Sequence, residues 1–297
     1  MLTQDQIAAY RRDGYVKLEG TLTAEQLAGA RAVMDEFVER SRGLSRSDDV
    51  IDLEDDHTAE RPRIRRLKDP HRASPVFNAL LRDEGILDTV AQLIGPDIRM
   101  HHTKLNVKPP GGGEAVEWHQ DWAFYPATND DILEVGLLLD DATEANGALL
   151  VVPGSHQGPI YDHHVGGFFA GAMDPASCDG LDLSRSVALT ARAGSMTIHH
   201  VRTVHGSRTN NSDRPRRLLL FGYAAADAWP LVASVQGGFD SYEAQMIRGR
   251  STLHPRLAPV PVRLPLPPAP NQGSIFENQR LARGRSFQDR SQVAVAT

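Results

Sequence analysis

The chain is expected to form a mainly β fold, a β-sandwich or jelly roll, with helices packed on it at the N-terminal side. Three observations carry that expectation. From residue 98 onward, short strand-like runs follow one another across turn residues, with no strand–helix–strand alternation. Residues 135–139 are almost continuously apolar, as in a buried strand. Before residue 98, apolar residues recur instead at helical spacing. We therefore expect one domain over 1–297: a helical part at 1–97, a β core at 98–225 with a lid over 156–184, and a proline-rich extension at 226–297.

In chain order, Thr3 with Gln6 three residues on reads as a capping box. Ile7, Tyr10 and Arg11 then carry a short helix that Gly14 ends. Residues 15–18 read as a strand. Thr23 caps a longer helix with Leu27, Ala30, Val33, Met34, Phe37 and Val38 as its apolar stripe. Residues 45–60 are acidic and lack periodicity, which predicts a loop, and the basic residues Arg61, Arg63, Arg65, Arg66 and Lys68 follow. Residues 75–77 and 85–94 give further helical pieces, stopped at Gly95-Pro96.

Residues 100–108 alternate in part. Gly111-Gly112-Gly113 lacks the Lys-Ser/Thr that a phosphate loop needs, so it reads as a flexible hairpin connection. Asn146-Gly147 turns into a strand at 148–152, which Pro153-Gly154 ends. Residues 156–184, with Gly166-Gly167 and Phe168-Phe169, are long for a loop and are expected to act as a lid. Strands follow at 186–189, 195–200 and 218–223. Seven prolines between 255 and 270 impose an extended strap, and the residues from Arg280 on are expected to be frayed.

Composition narrows the function. The net charge of −6 leaves no basic footprint for nucleic acid. No apolar run approaches the roughly 18 residues of a membrane span, and the first residues lack the basic start and apolar stretch of a signal peptide. Cys178 is the only cysteine, so no intrachain disulfide is possible and a cytoplasmic location fits best. The oligomeric state is not legible.

The chemistry is concentrated at Trp118-His119-Gln120-Asp121. On a strand, His119 and Asp121 leave the same face. With a third imidazole, for which His205 is the candidate, they make one triangular face of an octahedral metal and leave positions open, the donor set of non-haem Fe(II) oxygenases. Arg216, at the mouth of the next strand, can grip a carboxylate with two parallel hydrogen bonds. His101, His102, His199 and His200 are rival ligands, but adjacent histidines on a strand point to opposite faces and none has a carboxylate two residues away.

His119-x-Asp121, the runs 146–149 and 152–156, and His205-Gly206-Ser207 with Arg216 eleven residues beyond His205 closely resemble the phytanoyl-CoA dioxygenase family over roughly residues 5–225. The resemblance implies a double-stranded β-helix, the cupin-like jelly roll. It implies Fe(II) held by His119, Asp121 and His205, with 2-oxoglutarate and O2 as cosubstrates. Arg216 would meet the far carboxylate of 2-oxoglutarate, with Ser207, Asn106 and Arg65 as supporting residues. The expected reaction is hydroxylation of an unactivated C–H bond in a small organic metabolite, releasing succinate and CO2. Related halogenases have a small residue at the carboxylate position, so Asp121 argues against chlorination. No coenzyme A site is identifiable. His102, Lys104, Trp122, Phe124 and Tyr125 are the candidate substrate residues. A zinc hydrolase on the same three ligands and a non-catalytic cupin-like binding protein are the competing readings.

Overall fold

The computed structural model describes residues 1–232 and 238–287. Its strands are β1 (Tyr15–Leu18), β2 (Ile51–Leu53), β3 (Ile64–Lys68), β4 (Ile98–Lys108), β5 (Val116–His119), β6 (Ile132–Leu138) and β7 (Leu149–Val151), then β8 (His164–Val165), β9 (Phe168–Phe169), β10 (Val187–Ala188), β11 (Met196–His200), β12 (His205–Ser207), β13 (Arg216–Ala225) and β14 (Met246–Arg248). The major sheet runs β1-β11-β6-β13-β4-β3-β2, with β14 added beside β4. The smaller sheet runs β10-β7-β12-β5. Two antiparallel sheets linked this way form the expected jelly roll, whose functional residues lie between them.

The helices cover the outer face of the major sheet. α1 (Gln4–Asp13) begins at the Thr3 capping box and stops at Gly14, whose φ of 81° suits glycine. α2 (Ala24–Ser41) begins at a second capping box on Thr23 and buries Ala30, Met34 and Phe37. α3 (Pro70–Ala73), α4 (Pro75–Leu81) and α5 (Glu84–Ile94) follow. Alternation along β13 divides its side chains. Leu219, Phe221 and Tyr223 enter the helix-covered core, and the Tyr223 hydroxyl donates to the Leu81 carbonyl at 2.8 Å. Each such fully buried large side chain contributes about 1.5–3 kcal/mol of burial. Leu218 and Leu220 face inward, into the space between the sheets.

Several expectations need correction. The N-terminal part is not only helical, because β2 and β3 as well as β1 join the major sheet. The acidic stretch at 45–60 contains β2, hidden in the sequence because Asp52 is buried there. Its carboxylate meets Arg66 Nη2 at 2.6 Å and Lys68 Nζ at 3.2 Å. The glycine-rich turn does not close a hairpin. It carries the chain from β4 in one sheet to β5 in the other, held by Gly111 N donating to Ser212 O and Gly112 N to Asn210 O.

Residues 156–184 are not irregular throughout, since β8 and β9 pair as a small hairpin within them. The proline-rich stretch runs without helix or strand, yet it is tied down. Trp122 Nε1 donates to Pro261 O at 2.7 Å and Phe169 N to Pro267 O at 3.1 Å. The expected fraying fails for 280–287, where Ser286 N donates to Glu117 Oε2 and Phe287 packs on Trp118. Residues 288–297 lie outside the described residues. Beyond 232 the chain also forms α6 (Gly238–Glu243) and α7 (Ile275–Asn278).

Candidate metal centre and its cavity

β5 and β12 pair antiparallel with His119 directly opposite His205. β5 stops at His119. Gln120 stays extended at φ −123°, ψ 126°, and Asp121 already opens a short 3-10 turn. The same-side relation of His119 and Asp121 therefore survives through one extended residue, although Asp121 is not on the strand. The ligand atoms of His119, Asp121 and His205 all lie within 4.8 Å of one another, and all three residues are buried.

The tautomers suit a metal. His119 Nδ1 lies 2.8 Å from Glu117 O and His205 Nδ1 lies 2.9 Å from Thr203 O. A carbonyl only accepts, so each Nδ1 carries the proton and each Nε2 keeps its lone pair. Burial pushes His119 down to about 4 and His205 well below the ordinary imidazole value, so both are neutral at pH 7. Burial alone would raise Asp121, but Lys104, His205 and His199 hold it well below the usual carboxylate range. Two neutral imidazoles and one carboxylate, converging from one side, fit Fe(II) with positions left open.

These groups open onto a cavity of about 390 Å³ between the sheets. At one end stands Arg216. It is buried, and burial pushes its guanidinium down to about 10. Its hydrogen bonds among the described residues go to one carbonyl, Gly147 O, from Nη2 at 2.7 Å and Nε at 3.2 Å. Lys108 lines the same end, its Nζ donating to Glu114 O, and burial pushes it well below the ordinary lysine value. Two buried basic groups, neither in hydrogen-bond contact with a carboxylate among the described residues, suit an incoming anion, whose charge would favour their protonated forms. Ser207 and Asn106 line this cavity too, and the Asn106 amide oxygen has no hydrogen-bond partner among the described residues.

Of the expected substrate residues, His102, Lys104, Phe124 and Tyr125 line the cavity. Lys104 Nζ is 3.9 Å from Asp121 Oδ1, and the Tyr125 hydroxyl lies 3.3 Å from the same oxygen. Trp122 does not line it. Its ring belongs to the apolar core, because the 3-10 turn rotates it away from the metal side. Arg65 does not line it either. Alternation on β3 turns Arg66 and Lys68 inward, and Arg65 instead bridges Glu114 and Glu277, 3.1 Å from each. His101 and His102 do not simply face opposite ways, since a bulge opposite Gly222–Tyr223 leaves His101 unpaired. Both rings touch Tyr125, at 4.7 and 5.0 Å between centroids.

Sequence reasoning missed three parts of the site. His199 lines the cavity with Nε2 3.3 Å from Asp121 Oδ2, and the alternation of β11 could have singled it out over His200. Glu134 was hidden within an apolar strand. The C-terminal segment 273–276 forms part of the cavity wall, and no local signal marks it.

The jelly roll and its donor set define a class, the non-haem iron dioxygenases that use 2-oxoglutarate. Within that class the chain belongs to the phytanoyl-CoA dioxygenase family (PhyH), whose profile matches residues 10–218. It is 40% identical over 279 residues to a "Probable alpha-ketoglutarate-dependent hypophosphite dioxygenase" of Stutzerimonas stutzeri, covering 93% of this chain and 96% of the relative. It is 29% identical over 237 residues to an ectoine dioxygenase of Bordetella parapertussis, covering 75% of each. Among solved structures, EctD from S. alaskensis with 2-oxoglutarate and 5-hydroxyectoine superposes with a TM-score of 0.64 at 27% identity. That match covers 76% of this chain and 77% of the other. The protein is thus an Fe(II)- and 2-oxoglutarate-dependent dioxygenase. Among the described residues, no helix is long and apolar enough to cross a membrane.

Proposed function

We propose that the protein hydroxylates a small polar metabolite. In this reading His119, Asp121 and His205 hold Fe(II), Arg216 grips the far carboxylate of 2-oxoglutarate, and Asn106 and Ser207 give it supporting hydrogen bonds. The observation that carries the reading is Arg216, buried at the cavity's end with one carbonyl as its acceptor. A zinc hydrolase leaves that residue without a role, and a non-catalytic cupin-like binding protein would not need the complete set of three metal ligands.

When bound, the iron supplies the oxidation: O2 and 2-oxoglutarate are consumed, CO2 and succinate leave, and one oxygen atom enters the substrate. The chain's own residues hold and shield. Glu117 O and Thr203 O fix the two ligand imidazoles. The Tyr125 hydroxyl donates to Asp121 and fixes its rotation. Phe124 lies edge-on to His119, with Phe169 of the β8–β9 hairpin packed against it, which excludes water. We read 156–184 as a lid that closes over this side. The single cysteine supports a cytoplasmic location.

The 40% relative favours a second reading, oxidation of a P–H bond in a small phosphorus oxyanion. Lys104 beside the metal face would partner such an anion. One experiment tests the class and another divides the readings. Anaerobic addition of Fe(II) and then 2-oxoglutarate should produce a weak visible charge-transfer band, and its absence would sink the oxygenase. Substrate-dependent succinate release, measured with hypophosphite beside a panel of small organic metabolites, then separates P–H from C–H oxidation.

A further inference from the structure

β13 places Arg216, Leu218 and Leu220 along the cavity, and Gly222, next on the same face and beneath the lining residues Glu134 and His102, lies about 20 Å along the strand from Arg216. At Gly222 a row of cross-strand partners spans four strands: His199 on β11, Glu134 on β6, Gly222 itself, and His102 on β4. Arg216 thus stands at one end of the cavity, and a second polar group stands at the other.

Glu134 is the unusual member of that row. It is 1% exposed and lines the cavity, yet among the described residues neither carboxylate oxygen has a hydrogen-bond partner. His102 Nε2 lies 3.0 Å from Glu134 Oε1, within ion-pair distance, but it too lacks a hydrogen bond among the described residues. A buried carboxylate left this way is costly unless something donates to it. The backbone at Gly222 leaves the room that the pair occupies. A Cβ on Gly222 would sit 2.7 Å from Glu134 Oε1 and 2.9 Å from His102 Nδ1, so any larger residue would crowd the pair. The Tyr125 ring, 5.0 Å from that of His102, adds an aromatic face that suits a cation.

We infer that Glu134, with His102 beside it, is the substrate-recognition pole of the cavity, and that it takes a protonated amine. A carboxylate in a nearly dry wall accepts only, and a charged N–H donor satisfies both its charge and its lone pairs. The inference rests on the oxygenase reading above and narrows it to amine-bearing substrates. A lone phosphorus oxyanion would leave Glu134 unsatisfied.

The test titrates matched compounds calorimetrically into anaerobic enzyme loaded with Fe(II) and 2-oxoglutarate. The pairs are L-proline and cyclopentanecarboxylate, β-alanine and butyrate, and ethanolamine and 1-propanol, with hypophosphite as an amine-free anion. In at least one pair the amine should bind at least about tenfold more tightly than its isostere. Glu134→Gln should reduce that preference to about twofold or less while the 2-oxoglutarate charge-transfer band persists. Gly222→Ala keeps the charge but crowds the carboxylate and should reduce the preference too, so the test survives a misfolded Glu134→Gln. No amine preference in any pair, tighter binding of hypophosphite than of every amine, or a preference that survives both substitutions would overturn the assignment. Loss of the band in the unmodified enzyme would instead sink the oxygenase reading itself.

Discussion

His119 and His205 sit directly opposite each other on paired strands, with ring centroids 4.0 Å apart. Strand pairing therefore sets the distance between the two imidazoles, and each is oriented by a carbonyl two residues before it in the chain. Asp121 closes the set from the turn that follows β5. His119→Ala, Asp121→Ala and His205→Ala are each expected to abolish turnover and sharply weaken iron binding. Metal content after anaerobic reconstitution checks this, and full iron in any one variant would remove that residue from the ligand set.

Arg216→Lys keeps the charge but loses the planar two-pronged grip. At roughly 1.5–3 kcal/mol per charged hydrogen bond, the apparent 2-oxoglutarate constant should rise by about one to two orders of magnitude. Iron affinity should stay the same. Arg217 is the internal control, because alternation turns it away to Asp140, with Nε at 2.8 Å from Oδ2 and Nη2 at 2.8 Å from Oδ1. Arg217→Lys should cost about 1 kcal/mol of stability and leave the cosubstrate constant unchanged. An effect on that constant from position 217 alone would refute the proposed grip.

The 156–184 segment is tied to the metal strand at Trp118, whose carbonyl accepts from Met173 N at 2.9 Å, and at Gln120 just after it. Gln120 N donates to His163 Nε2 at 2.9 Å, and Gln120 Oε1 accepts from Tyr161 N at 2.9 Å. Burial pushes His163 down to about 3, which keeps that nitrogen an acceptor. His163→Ala should increase hydrogen exchange across 159–173 and raise the substrate KM, with iron affinity retained. Unchanged exchange in the variant would count against a hinged lid.

Glu54 gives a pH signature. Burial, with a smaller push from Glu114, raises its carboxyl to about 7 against Arg65 and Arg63. A carboxyl raised on folding favours the protonated native state, so its stabilising contribution is full below the unfolded value. It is lost as pH rises through about 7. Glu54→Gln should therefore gain stability over the unmodified chain between pH 5 and pH 8, by on the order of 1–3 kcal/mol. Urea denaturation at both values reads this, and a gap that shrinks with rising pH would contradict the sign.

Legibility followed how local the signal was. The capping box at Thr3, the cap at Thr23, the apolar β6 and the pairs His119/Asp121 and His205/Arg216 are short-range patterns legible in the residues, and the family resemblance joined the two distant pairs. Arg65 and Trp122 were misplaced because a one-residue change of face decides them, and neither the register of β3 nor the turn at Asp121 is written in composition. β2 was obscured by the acidic residues around it, since only the distant Arg66 and Lys68 make Asp52 tolerable inside. Glu134 reads as a stray charge in an apolar strand until the opposite strands show that it borders a cavity.

The wall supplied by 273–276 lies beyond the segment, 10–218, that the family profile matches. It is anchored from within that segment by Arg65, whose guanidinium holds Glu277 of α7 and lies over Phe276. The tail that carries this piece of the chamber's lining is fastened further along as well, by Gln279 to Ala115 and Glu117 and by Ser286 to Glu117. Exchanging the tail between relatives, with all of these fastenings retained, becomes a route to altered substrate scope that leaves the iron-binding residues untouched.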